Sequence, residues 1–185
     1  MGFQLRTRNA YDMYEVTSSL QKTIRRGLED DAIFWAMELE QRFYKHLWTR
    51  LVVIASEDIG VGDNSMAVLV STLKDNYMEA RANDKGERFL FLFHAVQAMC
   101  RSAKNRDADE SAHNYYIRHI INGEAFEIPE YAFDKHTLKG KRMGRDTVHF
   151  WTEGVQVEKD VSKHKHLQYI QDFYKKSPNY KIDLT

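Results

Sequence analysis

The chain has 185 residues and a mass of 21.8 kDa, and with 43% hydrophobic and 12% aromatic residues it can enclose one sizeable core. Its 27 basic and 27 acidic residues cancel, so no overall field directs it to nucleic acid or an anionic membrane, and a charged partner must be met by a local patch. A single cysteine, Cys100, excludes an intramolecular disulfide and suits a reducing compartment; with no apolar leader and no spanning stretch, the expectation is a cytoplasmic protein without membrane contact.

In chain order, Met13, Val16, Leu20 and Ile24 recur at helical spacing up to Gly27. Asp30 or Asp31 is placed to cap a second helix carrying Ile33, Trp35, Met37, Leu39 and Phe43, and a third stripe runs through Leu47, Leu51, Ile54 and Ala55. After Gly60 and Gly62, Asp63 or Ser65 can cap a helix with Met66, Leu69, Val70, Leu73 and Tyr77 on one face. RFLFLFHAVQAMC, residues 88–100, is apolar nearly all round and reads as the central core helix. A helix capped by Asp109 or Ser111 and stopped by Gly123 follows. Beyond Pro129 the chain reads as irregular around Gly140 and Gly144, helical again from about Asp146, and polar-helical from Val155 to about Lys176. With only two prolines and no linker or repeat, the expectation is one all-α domain, a bundle of about six to eight helices: a core over 1–122, with a basic loop and C-terminal helices of 123–185 packed on it.

The phosphate-cradling pattern GxxxxGK followed by Ser or Thr is absent, as are GxSxG, HExxH and paired cysteines, so no motif points to catalysis or a cofactor. Trp35, Trp48 and Trp151 fall within apolar helical patterns and read as packing residues, and Cys100 as a buried, inert thiol. The sharpest local feature is KHTLKGKRMGR, residues 135–145: Lys135, Lys139, Lys141, Arg142 and Arg145 without one acid, which suits phosphate contacts with DNA. The alternative for these cations is pairing with Glu57, Asp58 or Asp134 elsewhere in the fold. A rival reading places a metal-dependent enzyme acting on nucleic acid or a nucleotide at Asp134, His136 and His149, which share the carboxylate and imidazole chemistry of divalent-metal ligands.

Glu57 and Asp58 raise a separate question, because acids at a helix C-terminus face the negative end of its dipole. Pairing with Arg25, Arg26 or Arg50 across a tight glycine joint resolves it. SLQKTIRRGLEDDAIFWAMELEQR followed by RLVVIASEDIGVGD resembles the C-terminal region of the replication-associated recombination ATPases, bacterial relatives of the Werner-helicase-interacting protein. The resemblance rests on Lys22, Arg25, Arg26, Gly27, Asp30, Asp31, Ala32, Trp35, Arg50, Leu51, Ala55, Ser56, Glu57, Asp58, Ile59, Gly60 and Asp63. It continues more weakly through Ala95, Ala103, Lys104 and Asn105 to about residue 120, and the basic segment has no counterpart in it. In that family an AAA+ motor and lid precede a helical collar that forms tetramers and acts at stalled replication forks. The resemblance therefore implies a clamp-loader-type collar fold, self-association with a tetramer favoured, a role in DNA replication, recombination and repair as scaffold or as adaptor to a separate AAA+ motor, and no ATPase activity in these residues. It also implies that Glu57 and Asp58 are structural rather than catalytic.

Overall fold

Asp12 starts the first helix by accepting the amide hydrogens of Tyr14 and Glu15 at 2.9 and 3.2 Å. Helix α1 then spans Met13–Arg26 in the structure, a computed structural model that describes residues 5–178 and residue 180. Met13, Val16, Leu20 and Ile24 lie buried along one side, against α2.

The two stripes expected as separate helices form one, α2, over Glu29–Ile54. Only Phe43 leaves the helical backbone (φ −127°, ψ 30°), and no glycine or proline lies between residues 28 and 59 to end the helix there. Nor does an aspartate cap it. The amide of Leu28 closes back on the Thr23 carbonyl at 2.9 Å and the Leu28 carbonyl accepts the first α2 bond from Ala32, so the connection is too short for a capping side chain. Asp30 and Asp31 stand exposed in the first turn, where their charge favours the helix dipole.

Helices α3 (Met66–Ala82) and α4 (Arg88–Arg101) pair and complete the first body. Its core fully encloses Leu20, Leu39, Leu47, Trp48, Leu51, Ile54, Tyr77, Leu92 and Met99. Trp48 is thus the enclosed tryptophan; Trp35 and Trp151 are half-buried, Trp35 edge-on to Tyr11 and Phe34. The α4 segment is not buried all round: Leu92, Ala95, Val96, Met99 and Cys100 face the core, while Leu90 is two-thirds exposed. Asp63 and Ser65 both stand at the start of α3, but their side chains bond each other and the Ser65 amide instead of capping the helix.

Helix α5 (Asp107–Tyr115) begins two residues before the expected Asp109 cap, with the Asp107 amide held by Asn105 Oδ1 at 2.8 Å, and continues as π-helical turns over Tyr116–Ile121 before Gly123. The chain divides after Glu124 into two compact units, Met1–Glu124 and Ala125–Thr185.

In the second unit the segment expected to be irregular contains a short helix, α6 (Leu138–Arg142), capped by Thr137 Oγ1 on the Gly140 amide at 3.0 Å. Gly140 is required there, since a Cβ would stand 1.9 Å from the Asp134 carbonyl oxygen. Helix α7 (Thr147–His149), capped by Asp146, runs on into π turns through Gly154. The last helix, α8, covers Leu167–Lys176 rather than starting near Val155. Lys159 and His164 adopt left-handed backbone (φ 54° and 46°), which no continuous helix tolerates. Eight α-helices and no strand among the described residues make the fold all-α. No described helix is long and apolar enough to cross a membrane.

Candidate functional site

The most concentrated chemistry lies where α2 ends. Its last turn widens into π-helical backbone over Ala55–Ile59, and Gly60 (φ 48°) reverses the chain so closely that a Cβ there would meet the Asn105 carbonyl oxygen at 3.1 Å. The widening turns the fully buried Asp58 side chain inward beside the partly buried Glu57. Arg25 from α1 donates from Nε to Asp58 Oδ1 at 2.7 Å and from Nη2 to Glu57 Oε1 at 3.3 Å. Arg106, just before α5, donates from Nη1 to both acids and from Nη2 to Asp109. Gln21 Nε2 reaches Glu57 Oε1 at 2.7 Å and Asp58 Oδ2 at 3.1 Å, and Arg50 Nη2 donates to Gln21 Oε1 at 2.6 Å while standing 3.8 Å from Glu57.

The expected partners Arg25 and Arg50 are therefore present and Arg26 is not: exposed at the end of α1, it donates to the Lys22 carbonyl at 3.0 Å. Arg106 is the partner that sequence spacing missed, although it directly follows the Lys104 and Asn105 positions of the resemblance. Lys104 Nζ closes the adjoining end of α4 by donating to the carbonyls of Met99, Cys100 and Ser102 at 2.8, 3.1 and 2.7 Å, and burial lowers its pKa from the usual lysine value. Asp63 accepts from the Ser65 amide and hydroxyl at 3.0 and 2.6 Å, which holds its carboxyl below the usual range. With three guanidinium groups on two acids, this cluster is ionically closed: its carboxylates are committed to holding α1, α2 and α5 together.

A second buried acid was not anticipated. Glu40 Oε1 accepts from Tyr77 Oη at 2.7 Å and Arg81 Nη1 at 2.5 Å, with Arg88 at 3.6 Å, and Arg81 also lies 4.0 Å over the Tyr44 ring. Burial, then the Glu40 carboxylate, raises the Tyr77 hydroxyl above its ordinary pKa, so it remains a neutral donor. The signal available in the sequence was an acid one residue from Leu39, inside an apolar stripe.

The basic segment divides in two. Arg145 is mostly buried and turned inward, donating from Nη1 to the carbonyls of Glu130 and Phe133 and from Nη2 to Glu130 Oε1, each at 2.6 Å. Lys135 donates to Thr147 Oγ1 at 3.2 Å beside the Phe150 ring. Lys139, Lys141 and Arg142 are exposed on α6, with Lys139 Nζ 4.0 Å over Phe133. Within this unit the acid paired with the segment is Glu130, through Arg145, while Asp134 bonds the His136 backbone amide.

Asp134, His136 and His149 do not assemble. Asp134 accepts the His136 backbone amide at 2.9 Å, the His136 ring packs edge-on to Phe150, and the His149 amide bonds Asp146. Among the described residues no three His, Cys, Asp or Glu side chains converge as metal ligands. Cys100 is buried, and burial pushes its thiol up to about 11, as expected of an inert core cysteine.

No curated protein matches the chain significantly. A family model does, and it runs through the basic segment and α8, well past the point near residue 120 where the resemblance read from motifs ended. With residues 28–183 matched by the model of the C-terminal region of the MgsA AAA+ ATPases, the chain belongs to that family.

Proposed function

We propose that this chain is a non-enzymatic, self-associating helical scaffold of the replication and recombination apparatus, which binds protein first and DNA second and serves an AAA+ motor as its structural partner. The observation that supports it most is the exposure of Tyr116, Ile117, Ile120 and Ile121, each 48–68% accessible, on a unit whose core is already filled by other residues. An exposed apolar row of that kind is the mark of a surface that meets protein. The closed state of both buried acid clusters agrees with a structural part rather than a reacting one.

DNA contact falls to Lys139, Lys141 and Arg142, the cations of the basic segment whose charge faces solvent. Phosphate contacts give affinity that falls with salt, and the slope shrinks by about one for each contact removed. Replacing the three by Gln should weaken DNA binding at low salt and flatten its salt dependence while leaving the fold intact. Affinity that is undetectable at low salt, or unchanged in the triple variant, removes DNA from the proposal. Absolute mass by light scattering after size exclusion tests self-association: an assembly larger than one chain supports the scaffold, and a strict monomer refutes it.

A further inference from the structure

The second unit holds a cleft of about 550 Å³ lined by Glu130, Tyr131, Arg145, His149, Glu153 and Gln156, a volume in the range of small-ligand sites. Tyr131 is 81% exposed, and its ring meets no other ring and no hydrogen-bond partner. Its backbone, by contrast, is held from both sides. Arg145 Nη1 donates to the carbonyls of Glu130 and Phe133, which flank it, at 2.6 Å each. A largely buried arginine thus fixes the turn that carries an unused aromatic face, and a ring fixed in that way is a pre-formed platform for a flat ligand.

The polar groups beside the ring are only partly spent. Arg145 commits Nη1 to the two carbonyls and Nη2 to Glu130 Oε1, which leaves its Nε–H without an acceptor and Glu130 Oε2 without a donor. Glu153 accepts from Gln156 Nε2 at 3.1 Å through Oε2, and its Oε1 is unpaired. His149 Nδ1 is buried with no partner, a deficit that folded proteins seldom leave without a reason. The cleft therefore offers carboxylate acceptors and a guanidinium donor next to an open ring face.

We infer that this cleft binds a guanine base. Guanine carries two neighbouring N–H groups, at N1 and N2, that a carboxylate accepts together, and two neighbouring acceptors, O6 and N7, that an arginine reads. Adenine and cytosine offer a carboxylate an amino group alone, and thymine offers no amino group. Glu153, oriented by Gln156, and the free oxygen of Glu130 are the acceptors, Arg145 Nε is the donor and Tyr131 is the stacking face. A guanine base comes as a free nucleotide or within a nucleic-acid strand, and both bring phosphate, for which the exposed Lys139, Lys141 and Arg142 stand in the helix just before Arg145 in the chain. The site goes beyond the DNA contact proposed above, which calls on phosphates alone.

The test is isothermal titration of the whole chain with dGMP, dAMP, dCMP and dTMP, followed by an all-thymine oligonucleotide and the same strand with one central guanine. The chain should bind dGMP about tenfold or more tightly than the other three. Tyr131→Ala should weaken dGMP about tenfold, and Glu153→Gln should shrink the preference for dGMP over dAMP, both at exposed positions where circular dichroism should show an unchanged fold. A guanine strand bound more tightly than both dGMP and the all-thymine strand supports the site with nucleic acid as the source. Binding of dGMP with no binding of either strand supports it with free nucleotide as the source, and refutes the DNA contact. Equal affinity for the two strands without dGMP binding overturns the base site and leaves the DNA contact standing. Equal affinity for all four nucleotides overturns guanine as the ligand, an unaffected Tyr131→Ala variant overturns the location, and a chain that binds no nucleotide and no strand overturns both readings.

Discussion

The two units of this chain hold irregular backbone in place by opposite means. In the first, the turn after α2 rests on a filled core, with Leu51, Ile54 and Ile59 fully enclosed, and its acids can be buried because Arg25 and Arg50 are delivered to them by α1 and α2 and Arg106 by the turn before α5. In the second, buried positions among the described residues are limited to Gly140, Thr147 and Tyr174. Its loops are tied by single polar links: Arg145 to Glu130 and Phe133, and Gln171 Nε2 to the Trp151 carbonyl at 2.8 Å. Ion pairs therefore specify geometry where a core already exists, and substitute for a core where there is little of one.

Perturbations of graded size sharpen that contrast. Leu51→Ala, at a fully enclosed site, should cost the most, about 3–4 kcal/mol in chemical denaturation of the chain. Asp58→Asn should follow at about 3 kcal/mol, because it strands Arg25 and Arg106 over a neutral group in a buried setting; Glu57→Gln, at a partly exposed side chain, should cost about 1 kcal/mol. An Asp58→Asn effect below that of Glu57→Gln would mean that burial does not set the ranking. Arg145→Ala should cost about 1–2 kcal/mol and remain local, visible as faster hydrogen exchange over residues 130–145 with exchange in α1–α4 unchanged.

The smallest effect concerns Cys100. Its thiol titrates near 9 when unfolded and at about 11 in the fold, so the unfolded state ionises first. Stability is retained below pH 9 and declines as pH rises from 9 to 11. Cys100→Ala should make the denaturation midpoint less sensitive to pH across that window.

Periodicity made α1 and α3 legible because both bury one narrow stripe and have polar flanks. It misjudged α4, where Leu90, Phe91 and Phe93 continue the apolar pattern past the face that the core can use. It also overextended the last helix, since Val155–His166 has helix-forming residues but no stripe to bury. At the joint, Arg25 and Arg50 were legible from a motif and from the dipole argument. Arg106 and the Arg81–Glu40 pair were not, because each reaches across 41 residues or more and nothing local marks the partner. The division of labour within residues 135–145 was equally hidden, as a run of cations reads alike whether its members point outward or, like Arg145, inward.

The buried acid cluster has a consequence for how the chain reaches its fold. Arg25 and Arg106 meet Asp58 from 33 and 48 residues away along the chain, so their loops must close before the contacts offset that loss of freedom. Helices α1 and α2, joined by a two-residue connection, have the short-range contacts that allow early pairing. Late completion of the cluster is therefore the expectation, and stopped-flow kinetics checks it: Asp58→Asn should raise the unfolding rate more than it lowers the folding rate. In a chain with one cysteine and no disulfide, the cluster is a non-covalent clasp that ties the start of α5 to the end of α2.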